Sequence, residues 1–432
     1  MSDDLSLIML KAGKDDWVTK RKEIIAAMKH LTTQFTDSSA RGKLLFLALF
    51  CLVYAGSFAI IMANYEHLRI RSDFFVRWHA ITQLIKEGRN LYDPQNGAEI
   101  DQILYGEDNE DLRLDFYYPA YLLVVIGPLG FLPYYPAYLI WTTVGQLFLV
   151  VGLAAAMWAW QWPRTVNQVT IVILFSLLWV PTFQHSLWGQ FNTLGVLSLG
   201  LSLWALRHRA YGWAGVAAAG LLFKPHPYLL LLFFLGLWSV ARRERWGFVG
   251  GLAAASGGLW LIAEWLQPGW VLDFWHSLGR YVPQASVVDI LWNPHQVTAA
   301  VLVVGSLLLF IRHRHASVDS LAFACCLTLS LSVWFLVLPV ILMFHILALP
   351  IGMIALLARL QVENSRRYWQ AVWVFLFIYL MGWVGFVVGQ FFQLQLTFSL
   401  LAYKMILPIV VTGFALPGAL GHIFSQKVMN VE

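Results

Sequence analysis

Residues 136–160 read PAYLIWTTVGQLFLVVGLAAAMWAW, a run without a single charged side chain. A helix needs about 20 apolar residues to cross the hydrocarbon core of a bilayer, so this run predicts a transmembrane helix. Similar runs recur along the 432 residues, of which 59% are hydrophobic and only 12% are charged. A soluble domain carries roughly 25% charged residues. The sequence therefore predicts an all-α polytopic membrane protein, because backbone polar groups in lipid must be satisfied within closed helices.

Clusters of Lys and Arg between the apolar runs predict the topology, because basic residues are retained on the cytoplasmic side of a membrane. Placing every cluster inside gives about 12 crossings with both termini cytoplasmic. The predicted helices lie near 43–63, 136–160, 166–184, 191–207, 211–223, 227–241, 246–266, 296–312, 318–337, 341–358, 368–390 and 397–416. This divides the chain into a cytoplasmic segment at 1–42, a transmembrane domain at 43–420 that includes the outer loop at 64–118, and a cytoplasmic tail at 421–432.

One apolar piece, residues 119–134, is short and interrupted. It contains Gly127, Pro128, Gly130 and Pro133, which disfavour continuous helical backbone. Irregular backbone at membrane depth is tolerated where it is buried in protein or lines a cavity. The piece is therefore predicted to be a re-entrant or broken segment that returns to the outer side.

The connection at 64–118 is predicted to lie outside, since it holds eleven acidic residues against six basic ones. Apolar residues recur within it at helical spacing, and they are Phe74, Trp78, Ile81 and Ile85. Gly88 follows them as a stop signal. The pattern predicts an outer interfacial helix that lies along the membrane surface.

The composition argues against several other kinds of site. The three cysteines, Cys51, Cys325 and Cys326, lie inside apolar runs and suit neither a disulfide framework nor a metal cluster. The net charge of +5 is explained by cytoplasmic anchoring, so no nucleic-acid partner is expected. Because no compact carboxylate pair adjoins Asp73, no metal and no other cofactor are expected.

Short polar and aromatic motifs follow one another in a particular order. They are Asp73-Phe74-Phe75, Asn90-Leu91-Tyr92-Asp93, Phe116-Tyr117-Tyr118-Pro119, Trp188-Gly189-Gln190-Phe191-Asn192, Lys224-Pro225-His226-Pro227, Asn293-Pro294-His295-Gln296 and Phe344-His345. In this order the sequence resembles the membrane-embedded polyprenyl-phosphate-mannose-dependent α-mannosyltransferases of glycosyltransferase family 87. The resemblance extends over nearly the whole chain.

The resemblance implies a GT-C architecture and a polyprenyl-phosphate-sugar donor. The active site would lie on the extracytoplasmic face of the cell membrane, among membrane lipids, and would serve a lipid or glycan acceptor. Asp73 would be the general base of an inverting transfer, as expected for a single carboxylate that deprotonates the attacking hydroxyl. The residues that would bind the donor phosphate or sugar are Lys224, His226, His345, Gln190, Asn192, Asn293, His295 and Gln296. Phe344 stands where many family members carry a second histidine.

Each candidate side chain also has an ordinary structural interpretation. Asp73 is placed to cap the helix that follows it, and Gln190 or Asn192 to cap the helix near 191–207. Lys224 suits snorkelling to lipid headgroups. His345 suits a hydrogen bond between helices, and His226 suits an interfacial histidine bonded to a carbonyl. Helix capping is likewise the alternative for Asn293, His295 and Gln296.

Two other functions fit parts of the pattern. A transporter or flippase of lipid-linked sugars would also have many helices, broken segments and intramembrane polar residues. The polar motifs gather at predicted outer helix ends, however, and no internal repeat is found, which favours the transferase. A noncatalytic membrane scaffold would not require the motifs to converge on one face.

Overall fold

The computed structural model describes residues 72–106, 114–162, 166–281, 294–337, 343–391 and 406–429. The α-helices that position the site and its surroundings are numbered here in chain order. They are α1 Asp73–Glu87, α2 Pro94–Tyr105, α3 Tyr134–Trp160, α4 Val166–Leu177, α5 Val180–Trp188, α6 Asn192–Arg207, α7 Tyr211–Ala218, α8 Leu229–Val240, α9 Trp246–Leu266, α10 Trp270–Tyr281, α11 Pro294–His313, α12 Leu321–Val337, α13 Leu349–Glu363, α14 Ser365–Phe391 and α15 Leu407–Met429. The predicted segment 1–42 and the predicted helix 43–63 lie outside the described residues.

The described residues form helices and turns, with no strand among them. Four of these helices are long and apolar enough to cross a bilayer, and they span Tyr134–Trp160, Arg243–Leu266, Met343–Glu363 and Ser365–Val388. The bent pair of α4 and α5 adds a fifth candidate, and shorter apolar helices lie beside them. These features confirm an all-α polytopic membrane protein. The number of crossings and the sidedness stay predictions.

The predicted single helix at 166–184 is wrong. The chain breaks at Leu178 and Trp179, and the two helices on either side, α4 and α5, are bent by 52°. The cause is Pro181, which occupies the first turn of α5. Proline has no N–H to donate back into α4, and its ring excludes the helical backbone that would continue through it.

The predicted interruption at 119–134 is present. Residues Ala120–Leu122 and Gly127–Phe131 form 3-10 turns around the short helix Leu123–Ile126. This broken segment packs on α1, and a Cβ atom added at Gly130 would lie only 2.7 Å from side-chain atoms of Ile81 and Ile85.

Helix α1 ends where the sequence predicts, because Gly88 adopts φ 67° and its N–H bonds to the Leu84 carbonyl. Its apolar face is covered by the protein, since Phe74 and Ile81 are fully buried. The apolar side of α1, which the sequence predicts to lie along the membrane surface, is therefore covered by the protein at these two residues.

Helices α3 and α6 approach each other closely at Gly152 and Gly200. A Cβ atom at Gly200 would collide with the backbone carbonyl of Gly152. We expect Gly200→Ala to lower the free energy of unfolding by about 1–3 kcal/mol, because this backbone contact has no room for a methyl group.

Thermal unfolding in detergent measures the effect of Gly200→Ala. Gly236→Ala in α8 is the matched control, since nothing lies within 4 Å of the Cβ position at Gly236. Equal melting temperatures for the two variants would contradict the close approach of α3 and α6.

Candidate active site

Ser72, not Asp73, caps helix α1 and stands immediately before its first residue. The Phe75 N–H donates to the Ser72 hydroxyl at 3.2 Å, and that hydroxyl also bonds the Tyr134 hydroxyl at 2.5 Å. The capping interpretation of Asp73 is therefore wrong. Asp73 is the first residue of the helix, and 33% of its side-chain surface stays exposed to an approaching molecule.

A tight turn after α5 places Gln190 beside the start of α1. Gly189 has φ 59°, and a Cβ atom there would lie 2.5 Å from the Cβ of Phe74. Only glycine combines this left-handed backbone with so close an approach. The indole N–H of Trp141 donates to the carbonyls of Gly189 and Gln190, each at 3.1 Å, and fixes the turn.

Three predicted site residues form one hydrogen-bonded chain. The Gln190 amide Nε2 donates to the Asp73 carboxylate, and the Lys224 ammonium donates to the Gln190 Oε1 at 2.8 Å. This orientation of the Gln190 amide is the one that suits both neighbours, since carboxylates only accept and ammonium groups only donate. A carboxylate and a buried cation, 151 positions apart in the chain by their numbers, are thereby joined through one neutral amide.

Lys224 lies in the break between the 3-10 turns Ala219–Phe223 and His226–Tyr228, and its side chain points into the protein. It is buried, with its Nζ 5.2 Å from the centre of the Phe344 ring. The snorkelling interpretation is therefore wrong. Burial lowers the pKa of Lys224 from its usual value, the charge of Arg77 lowers it further, and Asp73 opposes both.

Arg77 lies in the candidate site, although it belongs to none of the polar and aromatic motifs of the sequence. Its Nη1 lies 3.6 Å from Oδ1 of Asp73, and its guanidinium lies 4.7 Å from the centre of the Tyr118 ring. Among the described residues, its buried Nε has no hydrogen-bond partner. The sequence does carry a signal for Arg77. It lies four residues after Asp73, and residues four apart share one face of a helix. Lys224 faces the same Tyr118 ring at 5.9 Å, so two cations flank one aromatic side chain.

The two predicted histidines meet next to this network. The rings of His226 and His345 are edge to face, with centroids 5.1 Å apart. His345 is buried in the 3-10 turn Met343–Ala348 that precedes α13, and the neighbouring Phe344 ring faces Lys224. The His226 carbonyl accepts from the Trp334 indole at 2.5 Å. The imidazole pair therefore adjoins the cationic end of the network.

Asn192 opens α6 without capping it. The N-cap position is Phe191, and no side chain caps this helix, so the capping interpretation of Gln190 and Asn192 is wrong. Asn192 is fully buried, and within the described part of the chain neither atom of its side-chain amide has a hydrogen-bond partner. A buried amide of this kind costs free energy unless a ligand or water bonds it.

The remaining predicted site residues cannot be placed against this network. Asn293 lies outside the described residues. His295 and Gln296 lie at the start of α11, but their side chains are likewise outside the description.

The comparisons with known proteins identify the family. The model of glycosyltransferase family 87 matches residues 116–339, just over half of the chain. The chain belongs to glycosyltransferase family 87. It is therefore a membrane glycosyltransferase. No curated protein and no solved structure matches the chain.

The family 87 match covers one part of the network directly. Gln190, Asn192, Lys224 and His226 lie within the matched residues, whereas Asp73 lies before them. Asp73 is therefore connected to the matched region by the hydrogen bond that it accepts from Gln190.

A transferase of family 87 must remove a hydroxyl proton and stabilise a leaving group, and the network holds groups suited to both tasks. Asp73 offers the partly exposed carboxylate. Arg77, 3.6 Å from that carboxylate, and Lys224, joined to it through Gln190, offer positive charge.

Proposed function

We propose that this family 87 protein transfers mannose, or a related sugar, from a polyprenyl-phosphate donor to a hydroxyl group of a lipid or glycan acceptor. The reaction takes place on the extracytoplasmic face of the cell membrane and inverts the anomeric carbon. The observation that carries the proposal is the chain from the Asp73 carboxylate through Gln190 to the Lys224 ammonium. The mannosyl donor comes from the resemblance of the sequence motifs.

Asp73 accepts the proton of the acceptor hydroxyl. The hydroxyl oxygen forms a bond to the anomeric carbon while the bond from that carbon to the phosphate oxygen breaks, and the electron pair leaves with the phosphate. A single base that acts opposite the leaving group converts a β-linked sugar phosphate into an α-linked product. The exposed part of the Asp73 side chain is where the hydroxyl approaches.

Lys224 and Arg77 hold the phosphate of the donor. Both cations lie near the Tyr118 ring, at 5.9 Å and 4.7 Å from its centre, and the charge of Arg77 is felt at Lys224, so the two form one positive region for an anionic group. Charge-assisted hydrogen bonds to phosphate oxygens are roughly twice as strong as neutral ones. Negative charge that develops on the leaving phosphate is stabilised most by cations that are already in place and shielded from water.

Neutral donors complete the sugar site in this proposal. His226 and His345 form a ring pair beside the Lys224 end of the network. Asn192 presents a buried amide that has no partner among the described residues. Amide and imidazole groups hydrogen-bond sugar hydroxyls without adding charge.

The direct test is transfer of labelled mannose from polyprenyl-phosphate-mannose to a membrane lipid extract by the purified protein. We expect a labelled product with an α linkage, assigned by its sensitivity to an α-mannosidase. A β-linked product would contradict inversion from a β-linked donor. Movement of the labelled donor across vesicles without any new glycosidic bond would replace the proposal with a flippase.

Chelators test the absence of a metal from the proposed mechanism. Within the described residues, no group of three or more His, Cys, Asp or Glu side chains is arranged to hold a metal ion. We expect transfer to continue at an unchanged rate after treatment with EDTA, because Arg77 and Lys224 supply the positive charge. A loss of activity that added Mg²⁺ or Mn²⁺ restores would contradict this expectation.

A further inference from the structure

Helix α10 is amphipathic and presents an apolar strip away from the protein. Leu272 and Trp275 are 68% and 72% exposed, and Val271 beside them is also exposed. These three positions share one side of the helix, whereas Trp270 and Ser277 on the other side are buried. His276 and Arg280 mark the polar edge of the exposed half.

The apolar strip follows closely after α9 in the chain. The span Arg243–Leu266 has only 11% of its apolar window buried, the lowest share among the four candidate spans. Its exposed side includes Leu261 at 61% and Trp265 at 80%. The chain passes from Leu266 to Trp270 through one turn, so the strip on α10 begins within a few residues of the exposed apolar end of a membrane-length helix.

The polar side of α10 holds the segments that lead to the active site. Asp273 accepts from the Asn90 side chain at 2.6 Å, and the Arg280 guanidinium donates to Asp115 at 2.8 Å. The Ser277 hydroxyl donates to the Phe116 carbonyl at 3.2 Å. Phe116 is two residues from Tyr118, the ring that Arg77 and Lys224 share.

We propose that α10 is an interfacial helix whose strip of Val271, Leu272 and Trp275 inserts into the boundary between lipid headgroups and acyl chains. Bilayer lipid is the occupant because the strip lies a few residues after the exposed apolar end of the membrane-length helix α9, and because exposed His276 and Arg280, which is paired with Asp115, mark its polar edge. Apolar residues with tryptophan on one side and basic residues at the rim are typical of helices that lie in the membrane interface. The lipid surface then supports, through α10, the segment that carries Tyr118.

Spin labels test the position of α10 in the wild-type fold. Cys51 is replaced by alanine, and the buried Cys325 and Cys326 stay in place. Leu272→Cys and Trp275→Cys each carry a nitroxide, and His276→Cys at the polar edge is the matched control. The labelled proteins are placed one copy per lipid nanodisc, and collision with oxygen is compared with collision with a water-soluble nickel chelate.

We expect the ratio of oxygen to nickel collisions to be several times higher at positions 272 and 275 than at 276. Equal access of the nickel chelate at all three positions would place the strip in water and overturn the proposal. In nanodiscs that hold two copies, dipolar broadening between labels at position 275 would show that a second copy covers the strip instead. The collision measurement requires no sugar transfer, so its result tests the position of α10 independently of the proposed function.

Discussion

Asp73→Asn is expected to lower the turnover number for sugar transfer by about 10²–10⁴-fold, the usual contribution of a positioned general base. Asparagine keeps the size of aspartate, and its oxygen can still accept from the Gln190 amide, so the packing at the start of α1 is retained. It cannot take a proton from the acceptor hydroxyl. The measurement is the initial rate of transfer from polyprenyl-phosphate-mannose at saturating donor.

The control for Asp73→Asn is Ser72→Ala, which removes the residue that actually caps α1. We expect Ser72→Ala to lower stability by about 1 kcal/mol while transfer falls far less than in Asp73→Asn. The two neighbouring substitutions therefore separate folding from chemistry. Full activity of a monodisperse Asp73→Asn protein would show that another group takes the proton.

Much of the local structure follows from residues that act over short distances. Gly88 ends α1 because a left-handed residue closes a helix, and the glycines and prolines of 119–134 interrupt that segment. The candidate residues Asp73, Gln190 and Lys224 were selected from the sequence, and the structure brings them together. Charge, apolar length and motif order were sufficient for these conclusions.

The remaining features depend on contacts between distant parts of the chain. Helix α10 is anchored by Asn90 and Asp115, which precede it by more than 150 residues, and no local pattern connects them. The role of Arg77 depends on Tyr118, which reaches it from another segment. The cap at Ser72 was missed because Asp73 is an equally good capping residue, and only the backbone geometry distinguishes the two.

The bend between α4 and α5 shows how a proline can be overlooked within a long apolar run. The apolar run from 166 is long enough for a span, and length favoured a single helix. Pro181 nevertheless restarts the helix, and the second helix ends at the Gly189 turn that carries Gln190. The break between α4 and α5 therefore helps to determine the position of Gln190.

Lys224→Met is expected to raise the KM for the polyprenyl-phosphate donor by about 10- to 100-fold, because a hydrogen bond to a charged group contributes roughly 1.5–3 kcal/mol. Methionine fills the same buried space between Phe344 and Tyr118 but carries no charge. Turnover should change less than it does in Asp73→Asn, since the proton acceptor is untouched. The measurement is the dependence of the transfer rate on donor concentration, with KM and kcat determined separately.

Lys86→Met is the matched control for this substitution, because Lys86 is exposed in the last turn of α1 and far along the helix from Asp73. It removes the same charge from the chain, so a general electrostatic effect on an anionic lipid donor would appear in both variants. A specific phosphate contact appears only when Lys224 is replaced. A fall in kcat at unchanged KM would instead mean that Lys224 acts only on the developing charge of the transition state, and the ground-state contact with the donor phosphate would have to be assigned to Arg77 alone.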